Sequence, residues 1–158
     1  MVMAQVMGLF WLSAVTIKDL FGPIHSRTAR SIAINEIRFR LSDARIGSAV
    51  IFDNNHKIRY VDPNLRTGGA DVTSEMYFVP DERTLYYKEN ISSGAPIKIA
   101  KGPIDITFTL GTTDLDPNHV LRLGQDSTIT IFVRTSSDLS YSRVDTRDGE
   151  TVVYLRNL

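Results

Sequence analysis

Few residues in this chain have the types and the spacing that metal binding or catalysis needs. The three histidines, His25, His56 and His119, are far apart in the sequence, and no two of them share one predicted element at metal-ligand spacing. We therefore expect three surface histidines. The chain has no cysteine, which excludes thiolate metal ligands, disulfides and cysteine nucleophiles.

The segment "DLDPN" is an acidic loop with alternating oxygen ligands. Asp114 and Asp116 offer two carboxylates, as calcium-binding loops do, but the glycine and the distal glutamate of an EF-hand loop are missing. The sequence favours a solvated turn, and these two residues are only weak metal candidates. Asn90-Ile91-Ser92 fits an N-glycosylation acceptor in a predicted loop, although this triplet also occurs often by chance.

Motifs that carry enzyme chemistry are absent from the sequence. It contains no G-x-S-x-G elbow, no phosphate-cradling glycine loop and no H-E-x-x-H pair. We therefore expect no catalytic residue, no cofactor and no enzyme activity. Binding to nucleic acid is also not expected, because the basic excess of residues 1–47, six basic against three acidic side chains, is too weak to neutralise several phosphates.

The most distinctive stretch is "MVMAQVMGLFWLSAVTI", which opens the chain with seventeen residues that carry no charge. No basic residue precedes this apolar run and no small-x-small boundary closes it, so a cleavable secretion signal is not favoured. About 20 predominantly apolar residues cross a bilayer, so a membrane span that ends near Phe21 is one interpretation. A helix buried against other copies of the same protein is the other.

An amphipathic helix is predicted over residues 24–47. Ile34, Ile37 and Leu41 recur at spacings of three and four, so this stripe should pack against an apolar surface. Between the two stretches stands Gly22-Pro23, and proline lacks the N–H donor that a helix interior uses. We therefore expect the long helix to be broken or softened there.

From Val50 onward, short β-like runs alternate with turn residues. "AVIFDNNHKIRYVD" predicts a hairpin around Asn54-Asn55, and "SEMYFVPDERTLYYKEN" predicts a second hairpin with its turn at residues 80–83. "APIKIAKGPIDITFTLG", "STITIFVRTSS" and "TVVYLRNL" predict further strands.

The predicted fold class is α+β. Residues 1–47 form a long N-terminal helix, and residues 48–158 form a globular antiparallel β domain packed on the C-terminal half of that helix. Loops are predicted at residues 62–71, 111–118 and 136–150.

In their order along the chain, these features resemble a mature, leader-cleaved type IV pilin or a pilin-like pseudopilin of a type II secretion system. The resemblance covers the whole length and rests on the apolar start, the Gly22-Pro23 helix breaker, the amphipathic stretch that ends near Gly47, the β-hairpin domain and the closing "VVYLRNL". It implies a structural subunit that is held in the bacterial inner membrane and then enters an extracellular or periplasmic filament. Its partners would be copies of itself or other pilin-like subunits.

The resemblance also implies that the apolar helix is the assembly and membrane face. The residues on this face are Met1, Val2, Met3, Gln5, Val6, Met7, Leu9, Phe10, Leu12, Val15 and Ile17. The family usually carries a glutamate near the start of the mature helix, where this chain has Gln5. A neutral amide can hydrogen-bond a terminal amine, but it forms no charge pair. This departure and the "YLRN" ending favour a minor subunit over a major pilin without deciding between them.

A different class of function stays open from the same residues. The apolar helix could anchor a β-sheet binding module in a membrane, and the loop at 62–71 or at 136–150 would then meet a ligand. The two hypotheses differ in whether copies of the chain contact one another through the helix.

Overall fold

A computed structural model describes residues 2–63, 70–92, 94–112, 127–138 and 144–155. These residues form one long helix, α1 (Val2–Leu41), followed by eight strands. The strands are β1 (Val50–Phe52), β2 (Lys57–Asp62), β3 (Val72–Val79), β4 (Thr84–Lys88), β5 (Ile97–Lys101), β6 (Asp105–Thr112), β7 (Ser127–Asp138) and β8 (Val144–Tyr154). The α+β class predicted from the sequence is confirmed.

The strands form two antiparallel sheets where the sequence predicted one. The first sheet has the order β1-β2-β3-β4-β5, and the second has the order β6-β7-β8. Each sheet is a meander of neighbouring strands, so local turns define most of the pairing. The separation into two sheets arises between β5 and β6, where the chain passes from one sheet to the other.

Both predicted hairpin turns are confirmed. Asp53, Asn54 and Asn55 all have positive φ angles, of 51°, 53° and 70°, and the His56 amide donates to the Asp53 carbonyl at 3.0 Å. Asn and Asp tolerate this left-handed conformation better than other non-glycine residues, because their short polar side chains can hydrogen-bond locally. At the second turn, the Arg83 amide donates to the Pro80 carbonyl at 3.0 Å.

The expected helix break at Gly22-Pro23 is not present. Helix α1 is continuous from Val2 to Leu41 with Pro23 inside it, and it ends before Gly47, where the sequence predicted its end. A proline ring normally clashes with the side chain of the preceding residue in the helical conformation. Because that residue is Gly22, which has no Cβ, this one clash is removed, while the clash with the carbonyl four residues back and the missing N–H remain.

The loop predicted at residues 136–150 is wrong at both ends. Strand β7 continues to Asp138 and β8 already begins at Val144, and Asp138 is paired with Val144 in register. The stretch looks like a loop because its side chains are polar. In the structure some of them pair with each other: Arg147 Nε donates to Asp145 Oδ2 at 2.7 Å.

The core lies between the C-terminal half of α1 and the inner faces of the two sheets. Ile37 and Leu41 are fully buried and Ile34 packs against the same cluster, so the predicted helix–sheet stripe is confirmed. Two glycines allow the helix to come close on either side. A Cβ at Gly102 would lie 3.0 Å from Ala29 Cβ, and a Cβ at Gly149 would lie 2.7 Å from Arg30 Cδ.

The β1–β2 turn ties the two sheets together. His56 Nε2 lies 2.9 Å from Asp105 Oδ1 at the start of β6, and the Phe108 amide donates to the Asn55 carbonyl at 2.8 Å. His56, predicted to be a surface histidine, is partly exposed and has a carboxylate partner that the sequence did not predict. His25 is exposed as expected, and His119 lies outside the described residues.

Candidate functional site

Helix α1 divides into two parts with different surroundings. We call residues 2–21 the apolar segment and residues 26–41 the docked segment. The side chains of the apolar segment are described from Val6 onward, and the apolar ones among them are largely exposed. In the docked segment, Ser26, Ala33, Ile37 and Leu41 are buried.

Most of the predicted assembly-face residues that are described are exposed. Exposed fractions lie between 45% and 74% for Val6, Met7, Leu9, Phe10, Leu12 and Ile17. Val15 is half-buried. Met1 lies outside the described residues, and for Val2, Met3 and Gln5 only the helical backbone is described.

The residues predicted for the assembly face omit three exposed apolar residues at its end, although the apolar segment predicted as far as Phe21 includes two of them. Leu20, Phe21 and Ile24 are each more than half exposed, yet the predicted face stopped at Ile17. The apolar run resumes directly after Lys18-Asp19, and that resumption is the signal in the sequence that could have found Leu20 and Phe21.

The apolar segment is exposed on every side of the helix along residues 7–12. Residues 7–12 are all exposed, and successive helical residues are about 100° apart, so these residues cover the full circumference. A helix that is apolar all round is normally buried in a large core or a membrane, whereas a surface helix has one apolar stripe. This segment therefore requires an apolar environment that the rest of the described chain does not supply.

The hydroxyl groups within the apolar segment are satisfied inside the helix. Ser13 Oγ donates to the Leu9 carbonyl at 2.8 Å, and Thr16 Oγ1 donates to the Leu12 carbonyl at 2.9 Å. A polar group without a partner costs free energy when it is buried away from water. These intrahelical hydrogen bonds make the segment suitable for burial in lipid or protein.

The length of the helix fits a membrane. Among the described residues, one helix, α1, is long and apolar enough to cross a bilayer, by length and composition only, and its most apolar stretch is 0% buried within the chain. At about 1.5 Å per residue, the apolar segment is ~30 Å long, close to the ~30 Å of a bilayer hydrocarbon core. Lys18 lies near the end of the segment, where its ammonium group can reach the interface.

The docked segment begins at a buried hydrogen bond. Ser26 Oγ donates to Thr135 Oγ1 of β7 at 2.7 Å. One turn further on, Arg30 Nη1 donates to the Asp148 carbonyl of β8 at 2.8 Å. The helix is thus fixed to the second sheet directly after the exposed part ends.

A charged pair on β7 and β8 supports this junction. Arg134 donates to both carboxylate oxygens of Asp148, at 2.8 and 3.2 Å. These hydrogen bonds hold the pKa of Asp148 below its ordinary value, and they raise the pKa of Arg134. Because both side chains are solvent-exposed, the pair orients the β8 backbone more than it adds stability.

The described residues give no structural support to the metal and glycosylation sites considered from the sequence. Over the described residues, no group of three His, Cys, Asp or Glu side chains is arranged to hold a metal ion. Asp114 and Asp116 lie outside those residues. Asn90 accepts a hydrogen bond from the Ser92 amide at 2.9 Å, which is the geometry of a local turn.

Comparison of the chain with family models, with curated proteins and with solved structures found no match. The resemblance to pilins therefore stays a prediction. The geometry of α1 is the main structural guide to function.

Proposed function

We propose that this protein is a structural subunit of a helical filament of the type IV pilus or type II secretion pseudopilus kind. The observation that carries the proposal is the change of surroundings along one continuous helix. The docked segment is buried by its own chain, whereas the apolar segment is exposed on every side. The apolar segment would polymerise the subunits by packing against the same segment of neighbouring copies.

Two environments in succession can bury the same surface. Before assembly, the apolar segment would span the bacterial inner membrane, for which its ~30 Å length is suitable. After assembly, copies of the segment would surround each other in an extracellular or periplasmic filament. Copies of this chain, with or without other pilin-like subunits, are then the partners.

A single-pass membrane anchor for a β-sheet binding module is the second candidate. The membrane-compatible length of the helix favours it directly, since an anchor needs lipid alone around the apolar segment. The filament hypothesis also needs contacts between copies. The two candidates therefore differ in an observable way.

Electron microscopy of the full-length protein, extracted from its native membrane or cell surface, tests the proposal. We expect filaments a few nanometres wide, and we expect none from a variant that lacks residues 1–21. Monodisperse particles under every condition, with no other pilin-like chain recovered alongside them, would contradict the filament and favour the anchor.

The substitution Gln5→Lys separates the candidates further. A charge buried between packed helices should abolish filaments, while an anchor tolerates a lysine near the end of its span by extending it to the interface. Gln5→Leu is the matched control, because it changes the same residue without adding a charge. Normal filaments from Gln5→Lys would argue against a packed helical core around this residue.

A further inference from the structure

The two sheets carry opposite charges on the faces that point away from the core. Side chains alternate between the faces of a strand, so the strand registers assign each residue to the inner or the outer face. The outer face of the first sheet, the basic face, contains Lys57, Arg59, Lys88, Lys98 and Lys101 together with Glu75. The outer face of the second sheet, the acidic face, contains Asp105, Asp138, Asp148 and Glu150 together with Arg134.

This separation of charge is large for a neutral chain. The described strand residues give the basic face five basic and one acidic side chain, and they give the acidic face four acidic and one basic side chain. The formal net charge of the whole chain is zero. Each face is therefore electrostatically complementary to the opposite face of another copy.

A row of side chains across four strands organises the basic face. Lys57, Tyr77, Tyr86 and Lys98 are consecutive partners across β2, β3, β4 and β5. The two tyrosine rings are stacked with centroids 5.3 Å apart, and the ammonium groups of Lys57 and Lys98 lie 5.6 and 5.7 Å from the ring that each adjoins. Both ring faces are therefore already occupied, so the row fixes the cations and leaves little room for a stacking ligand.

Glu75 neutralises only part of this positive charge. The Glu75 carboxylate lies 2.8 Å from Arg59 Nη2 and 3.2 Å from Lys57 Nζ, and Asp53 Oδ2 in the β1–β2 turn lies 3.9 Å from the same Nζ. Lys98 and Lys101, on the edge strand β5, are exposed. These two lysines are available to an external anionic group.

The acidic face has a comparable arrangement. Arg134 is occupied by Asp148, and Asp105 is paired with His56. Asp138 and Glu150 are exposed on β7 and β8; the exposed apolar side chain opposite Asp138 is Val144, and those next to Glu150 on its face of β8 are Val152 and Tyr154. The face therefore offers unshared carboxylates next to apolar surface.

We propose that the basic face of one copy binds the acidic face of the next copy. This inference rests on the proposed filament function and adds a second contact to it, between globular domains. The two faces belong to different sheets, so the contact joins different surfaces of the two copies. Such a heterologous contact produces an open chain of subunits when the rotation from one copy to the next does not close a ring, as the proposed filament requires.

Charge reversal in the full-length chain tests this contact. The basic-face variant is Lys98→Glu with Lys101→Glu, and the acidic-face variant is Asp138→Lys with Glu150→Lys. In non-ionic detergent, which covers the apolar segment, sedimentation measures the association that remains. We expect wild-type association that weakens with added salt, and about a tenfold loss in each variant because like charges then face each other.

Recombination of the variants distinguishes the proposed contact from misfolding. A mixture of the two variants, or a single chain with all four substitutions, should associate as the wild type does, because every contact is complementary again. The control Arg38→Glu with Asp81→Lys reverses charges away from both faces and should change nothing. Full association of each separate variant would overturn the proposal and indicate that the helix alone holds the copies together. No recovery in the mixture would also overturn it and indicate that the basic face binds an anionic partner other than this chain.

Cross-linking gives an independent readout. The chain has no cysteine, so Lys98→Cys and Glu150→Cys introduce the only thiols. Under oxidation, the double variant should form a ladder of covalent oligomers, and a mixture of the single variants should stop at heterodimers. Filaments in the microscope without such ladders would refute the contact between faces and leave the filament function intact. Ladders without filaments would support the contact between faces and argue against the filament function.

Discussion

The two halves of α1 belong to one uninterrupted helix, but their side chains are arranged differently around it. In the docked segment the buried residues lie on one stripe, with Ile37 and Leu41 at its centre. In the apolar segment, residues 7–12 are exposed apolar or small residues on every side. A stripe indicates a partner on one side, which the chain itself supplies. An apolar surface all round indicates apolar surroundings on all sides, which the described part of the chain does not supply.

The largest effect is expected from a cavity in the docked segment. Leu41→Ala should lower the free energy of unfolding by about 2–5 kcal/mol, because Leu41 is fully buried in the core. Membrane retention should stay as in the wild type. Chemical denaturation of the detergent-solubilised protein measures the first effect and fractionation of membranes the second. Loss of membrane retention in this variant would show that the apolar segment depends on the folding of the docked segment.

A charge in the apolar segment should impair membrane retention and leave the stability of the β domain unchanged. Leu12→Lys adds an ammonium group near the middle of the segment, which costs about 2.5–3.5 kcal/mol at the centre of a bilayer. We expect loss of membrane retention and of filaments, with the thermal unfolding of the β domain unchanged. Leu12→Phe is the control and should behave as the wild type. A lower unfolding temperature for Leu12→Lys would show that Leu12 contributes to the folded domain.

Alanine substitutions at two glycines compare the docked segment with the apolar segment through smaller changes in stability. Gly149→Ala should destabilise the fold by about 1–3 kcal/mol, because the new Cβ would be 2.7 Å from Arg30 Cδ. Gly8→Ala has no atom within 4 Å of its new Cβ, and alanine favours a helix by about 1 kcal/mol over glycine. Thermal unfolding should therefore fall for the first variant and stay level or rise for the second. Equal effects would contradict close packing at Gly149.

The smallest effect is expected at the Arg134–Asp148 pair beside the docked segment. Because the pKa of Asp148 is lowered in the folded state, the pair stabilises the fold above the ordinary value of 3.8, and this stabilisation is lost as the pH falls through the lowered pKa. Asp148→Asn should unfold at a slightly lower temperature than the wild type at neutral pH, and the difference should disappear in acid. Glu150→Gln, on the same face of β8, is the control. A difference that persists at low pH would mean that the aspartate acts through packing.

Local patterns in the sequence predicted the elements of the fold better than their arrangement. The Asn54-Asn55 turn and the stripe of Ile34, Ile37 and Leu41 were found because each depends on neighbours in sequence. The way in which the two sheets are joined depends on contacts between distant residues, such as His56 with Asp105. No local pattern records such a contact.

The errors at Pro23 and at residues 136–150 have a common origin. In each case a rule for a single segment was overruled by its surroundings. Gly22 removes one of the clashes that proline causes in a helix, and the Ser26–Thr135 hydrogen bond holds the following turn. Ser136 and Asp138 look like loop residues but are paired in register across β7 and β8. The apolar segment was recognisable because its composition is extreme, while its exposure on every side became visible only with the rest of the chain in place.

Because α1 continues past Pro23, the rotation of the β domain about the helix axis is tied to the rotation of the apolar segment about the same axis. Whatever fixes the rotation of residues 6–21 about the helix axis also fixes the direction in which the two sheets face. One residue inserted between Phe21 and Ser26 would turn the domain by about 100° and move it by about 1.5 Å along the axis. Seven inserted residues would nearly restore the original phase, about 10 Å further out. The length of the helix therefore determines both the rotation of the β domain about the helix axis and its distance from the apolar segment.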